Sequence, residues 1–154
     1  KVNIISNRQN LKKFSIKSTN LIEKKINKIN KRYKKYKNKD VFFTLLLSED
    51  SEIKKLNNNF RKKNRTTDVL SFPFHEKKEL HKKLVKDREI YLGDVIVNLN
   101  KIKGKMNFFL ELDKLWIHGL VHLFGYDHKN NVDFMRMTRI EKKFLSYIKW
   151  LKVI

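Results

Sequence analysis

Apolar residues along the chain switch between two periods. Val2, Ile4 and Ile5 predict a short strand, and VFFTLLL, from Val41 to Leu47, predicts a buried one. Between them, in a strongly basic segment spanning residues 11–40, Leu21, Ile22, Ile26, Ile29 and Tyr33 recur at helical spacing. That places an amphipathic first helix there, with most of its lysines facing away from the apolar stripe. SEDS, from Ser48 to Ser51, supplies cap residues for a second helix with Ile53, Leu56 and Phe60 on its inner face. Asn57 and Arg61 share another face of it, one turn apart. DVLSFPF (68–74) reads as a strand ended or edged by Pro73, which cannot donate to a sheet ladder. EIYLGDVIVN (89–98) reads as another, with Gly93 marking a bulge or a close approach.

From Asn107 to Phe124 the pattern is dense. Phe109, Leu112, Trp116, Leu120 and Leu123 lie along one side, with Leu110, Ile117, Val121 and Phe124 beside them, so this helix is expected to be mostly buried. Its narrow polar stripe is Glu111, Lys114, His118 and His122. A last amphipathic helix is expected from Val132 to Ile148 through Phe134, Met135, Met137, Ile140, Phe144 and Ile148; the methionines at helical spacing read as core. Strands and helices mix without strict alternation, which predicts an α+β arrangement. The length, 154 residues, fits one domain over 1–154.

Composition narrows the chemistry. The absence of cysteine excludes disulfides and thiolate ligands, so any metal must use histidine, carboxylate, backbone or water. No apolar stretch is long enough to span a bilayer, and KVNIISNRQN lacks the pattern of a signal peptide. A cytoplasmic protein without membrane contact is expected. The formal charge of +21 favours polyanionic partners, nucleic acid first. Part of that excess reflects codon bias, since the chain has no alanine but abundant Lys, Asn, Ile and Phe. The few glycines and histidines that persist in such a chain therefore carry more information than its lysines.

Three of the five histidines fall in HGLVHLFGYDH, residues 118–128. His118 and His122, at i and i+4, project from one face of a helix and can reach one ion. His128 could not join them on a continued helix, where it would sit roughly 9 Å further along the axis. Gly125 can take the positive φ that turns the chain back. Three neutral imidazoles with an open fourth position are the arrangement of a catalytic metal site. The spacing equals that of the metzincin proteases, HExxHxxGxxH, but Gly119 stands where they have the general-base glutamate, which sets a protease reading well behind. His75 and His81, among lysines and glutamates, read as surface residues.

HGLVHLFGYDH strongly resembles the signature of the YbeY family, bacterial endoribonucleases and maturation factors for ribosomal RNA. LNNNFRKKNRTTDVLSFP (56–73) and YLGDVIV (91–97) resemble family segments in the same order, and Glu111 stands at its expected place, so the similarity covers residues 40–130. The resemblance implies a zincin-like α+β domain, with a mixed sheet of about four strands and about five helices. It implies one metal ion per chain, usually zinc, on His118, His122 and His128, with no small-molecule cofactor. It implies Arg61 as a functional residue of the metal cleft, although its spacing alone equally suits a cation at a helix C-terminus. Cleavage of single-stranded RNA during ribosomal RNA processing follows from it, with the small ribosomal subunit as partner. The nucleophile stays open between water at the metal and the RNA's own 2′-OH. Asp127 and Glu111 are candidates to orient a ligating histidine. Two departures from the family are a short loop between Asn98 and Asn107, and Asn98 itself where a serine is common. The rival from another class is a non-enzymatic ribosome-assembly factor with a structural metal.

Overall fold

One mixed sheet organises the chain, in the order β1 (Val2–Ser6), β2 (Asp40–Ser48), β4 (Glu89–Asn98), β3 (Val69–Pro73). The computed structural model describes residues 2–6, 9–33, 38–103 and 107–148. β1 and β4 run parallel to β2, whereas β3 pairs antiparallel with β4 and forms an edge, the place where Pro73 is tolerated. Phe42 pairs with Tyr91 and Thr44 with Asp94, so Phe43 alone opposes Leu92 and Gly93. This bulge lets Ile90 and Leu92 share a buried face with Val95 and Val97, which strict alternation would forbid. Gly93 makes it possible: its φ is +127°, and a Cβ would lie 2.2 Å from the Phe72 carbonyl oxygen.

That face packs against α1 (Gln9–Arg32), α4 (Phe108–Leu123) and α5 (Asn131–Ile148). The core joins Phe43, Leu45 and Leu47 of β2 to Ile22, Ile26 and Ile29 of α1, with Trp116 and Val121 from α4. α2 (Asp50–Arg61) covers part of the opposite face through Ile53, which meets Leu70 and Ile96. α3 (Lys77–Lys86) buries only Leu80, so it leaves little apolar period for a sequence reading to find. Among the described residues the result is the expected α+β arrangement, a mixed sheet of four strands with five α-helices.

Several details depart from the apolar pattern. Phe60 is 67% exposed rather than inward, tilted over Phe72, and Asn57 takes the buried place one turn after Ile53. The polar residue goes inward because its amide has a buried task, described below. Phe134 and Met135 face solvent, while Met137, Phe144 and Ile148 make the inner line of α5. Ser48–Ser51 brackets the start of α2 as expected, but no side chain closes the cap; Asp50 and Glu52 instead place charge at its first turn. Lys25 and Asp113, both about 2% exposed, form a buried ion pair of 2.6 Å between α1 and α4. Asp113 also accepts from Trp116 Nε1 at 2.9 Å. Part of the basic segment, residues 34–37, and part of the short loop, residues 104–106, lie outside the described residues.

Candidate metal centre

α4 carries His118 and His122 on one face, and its end decides where His128 goes. The Gly125 amide donates to the His122 carbonyl at 2.9 Å, and Gly125 takes φ +92°, turning the chain back over the helix. His128 thereby returns to its partners. Ring centroids stand 4.7 Å apart for His118 and His122, 5.2 Å for His122 and His128, and 5.9 Å for His118 and His128. One ligand nitrogen from each ring lies within 4.8 Å of the others, so the three together could hold a metal ion.

The tautomers suit that task. Nδ1 of His122 lies 2.9 Å from the Tyr126 carbonyl oxygen, which can only accept, so Nδ1 carries the proton and Nε2 keeps its lone pair. Nδ1 of His118 lies 2.7 Å from Oε1 of Glu141, which favours the same tautomer. Burial holds the His122 imidazole below its ordinary pKa, with the neighbouring His118 charge adding and the Tyr126 carbonyl opposing. A neutral ring is the form that ligates. On donor chemistry alone the residues fit a divalent first-row ion.

Gly119 is shaped by packing. A Cβ on it would lie 2.4 Å from Val95 Cγ1 and 3.1 Å from Ser71 Oγ, so the helix lies against the sheet where any side chain would collide. Ser71 Oγ donates to the Gly119 carbonyl at 3.0 Å across the same contact. The metzincin glutamate has no room here, which gives the sequence departure a steric cause.

The histidines border a cleft of about 650 Å³ whose lining also includes Arg61, Lys63, Asp68 and Ser71. Arg61 thus shares a cavity with the histidines, fifty-seven residues before the first of them. Its Nη2 donates to the Ser71 carbonyl at 2.9 Å, and its guanidinium lies 5.7 Å from the centre of the Phe72 ring. One donor is committed to the strand, leaving the rest of the fork for a ligand. Tyr126, Asp127 and Lys129 line the cleft as well.

Neither candidate for orienting a histidine bonds to a ring among the described residues. Glu111 pairs with Lys114 at 3.3 Å, an exposed contact one turn apart. Asp127 accepts from the backbone amide of His128 at 2.8 Å, which holds its carboxyl below the ordinary value and steadies the turn rather than a ring. Glu141, on α5, is the residue the sequence reading missed. No local pattern marks it, because it reaches His118 across a helix pair. His75 and His81 lie outside the cleft lining; His75 stands 3.7 Å from Glu79.

Fold and cleft together define an α+β protein in which a buried helix and the turn after it bring three imidazoles to one cavity with a strand-anchored arginine. The family model described as Endoribonuclease YbeY matches residues 4–149, and the chain belongs to that family. Among curated relatives named Endoribonuclease YbeY, that of Pelagibacter ubique is 42% identical over 75% of this chain and 76% of its own length. That of Buchnera aphidicola is 39% identical over 71% of this chain and 69% of its own. The solution structure of TM1509 from Thermotoga maritima matches with a TM-score of 0.60 at 27% identity, covering 99% of this chain and 93% of that one. Among the described residues, no helix is long and apolar enough to cross a membrane.

Proposed function

We propose that this protein is a metal-dependent endoribonuclease that cuts single-stranded RNA, in the cytoplasm, during maturation of ribosomal RNA at the small ribosomal subunit. In this reading residues 1–154 form one hydrolase domain, His118, His122 and His128 hold one zinc ion, and Arg61 acts in catalysis. The observation that carries the proposal is the shared cleft, lined by three imidazoles and an arginine. The names of the relatives support the choice of RNA as substrate.

An ion held by His118, His122 and His128 would supply Lewis acidity at a phosphodiester oxygen. Arg61, fixed by the Ser71 carbonyl, offsets the charge that builds on phosphorus as the nucleophile arrives. Its planar fork suits two phosphate oxygens at once. Glu141 and the Tyr126 carbonyl keep two rings in the ligating tautomer. Lys63 and Lys129, which also line the cleft, draw in the polyanion.

The test is a side-by-side assay on unstructured RNA and casein with chelated and remetallated protein. The expected result is cleavage of RNA alone, only with metal, abolished by His118→Ala and reduced at least about 100-fold by Arg61→Ala with the fold intact. Cleavage of casein would overturn the reading in favour of a protease. RNA binding without cleavage would overturn it in favour of an assembly factor.

A further inference from the structure

We infer that the loop following α2 is a second anion subsite, which takes a backbone phosphate of single-stranded RNA flanking the one at the histidine centre; this rests on the RNA reading above. A separate cavity of about 280 Å³ adjoins the main cleft and shares Arg61, Lys63 and Thr67 with it, while Arg65 and Thr66 line this cavity alone. Its lining holds three cations and no carboxylate. Among the described residues, none of Arg61, Lys63 and Arg65 has a salt-bridge partner.

The loop is built rather than merely charged. Lys62 takes φ 58° at the end of α2 and turns the chain out of the helix. Asn57, 3% exposed, donates its amide to the Arg65 carbonyl at 2.9 Å. Asn98, fully buried, donates to the Thr67 carbonyl at 3.0 Å and to Thr66 Oγ1 at 3.1 Å. Two amides thus pin the loop from behind, and they explain why Asn57 displaces Phe60 from the inner face. Asn98, the departure from the family's common serine, reaches loop and helix together, since it also donates to Asp50 at 2.6 Å.

Thr66 and Thr67 direct their hydroxyl hydrogens to Asp50 and Asp68, both outside this cavity's lining. The groups left to hold an anion are therefore the Arg65 guanidinium and the Lys63 ammonium, beside Arg61. Three cations lining one small cavity without a carboxylate repel one another, and a phosphate offsets that repulsion. The loop's continuity with the cleft through Arg61 and Lys63 selects a strand already lying in it.

The test measures binding of a twelve-nucleotide oligouridylate to metal-stripped protein across a salt series, for wild type, Arg65→Gln and Lys24→Gln, an exposed α1 lysine that lines neither cavity. Removing one phosphate contact from a single strand should lower the slope of log affinity against log salt by about 0.7. Arg65→Gln should show that loss with unchanged thermal stability, because its backbone carbonyl, not its side chain, anchors the loop. Lys24→Gln should keep the wild-type slope. An unchanged slope for Arg65→Gln, or an equal loss in both variants, overturns the subsite while leaving the RNA reading standing. Failure of wild type to bind the oligonucleotide at all overturns the subsite, and failure that persists in remetallated protein overturns the RNA reading as well.

Discussion

Glu141 Oε1 stands 2.7 Å from His118 Nδ1, joining α5 to α4 across twenty-three residues of sequence. The carboxylate fixes the ring's orientation and raises the basicity of the nitrogen left for the ion. Glu141→Ala is expected to weaken metal affinity about 10- to 100-fold, with Glu141→Gln in between. Competition against a chromogenic chelator measures it. Wild-type affinity in the alanine variant would show that the ring is held by packing alone.

Gly119 should tolerate no side chain. Its substituent would meet Val95 Cγ1 at 2.4 Å, and both helix and strand are buried there. Gly119→Ala is expected to cost about 1–3 kcal/mol through overpacking, read as a lowered denaturation midpoint. Gly119→Glu should fare worse and confer no activity on casein. A neutral Gly119→Ala would mean that β4 and α4 can separate freely.

The Lys25–Asp113 pair makes the sharpest stability prediction. Neither charge reaches water, and Asp113 also serves Trp116. Lys25→Met alone strands a buried carboxylate and should cost about 3–5 kcal/mol, whereas Lys25→Met with Asp113→Leu should recover much of the loss. Chemical denaturation of the single and double variants decides it. Equal losses in the two would refute the stranded charge as the cause.

Asp50 links stability to pH. Asn98 first, then Thr66, hold its carboxyl below the ordinary value of 3.8. Because the folded state lowers this pKa, the contribution is present above the unfolded value and fades as pH falls through the folded one. Wild type should therefore exceed Asp50→Asn in stability at about pH 6, and the gap should narrow by about pH 3. A gap that stays constant across that range would rule out the linkage.

The apolar periods of this chain determined its strands and most of its helices, because burial of one face imposes a repeat that single residues cannot hide. They misplaced Phe60, Phe109, Phe134 and Met135, since periodicity marks which residues can go inside and not which ones are covered there. Within HGLVHLFGYDH, local geometry was enough to bring three imidazoles together: a helical turn sets two of them and a glycine of positive φ returns the third. Asn57, Asn98, Glu141 and the steric need for Gly119 were invisible for a different reason. Asn57 acts on a loop eight residues on that no period marks, and the others act on residues far away in sequence, through a buried amide, a carboxylate across a helix pair, or a helix lying against a strand. Those relations exist only after β3 and β4 have paired and α4 and α5 have packed, so tertiary structure alone decided which groups face the cleft and what holds them there.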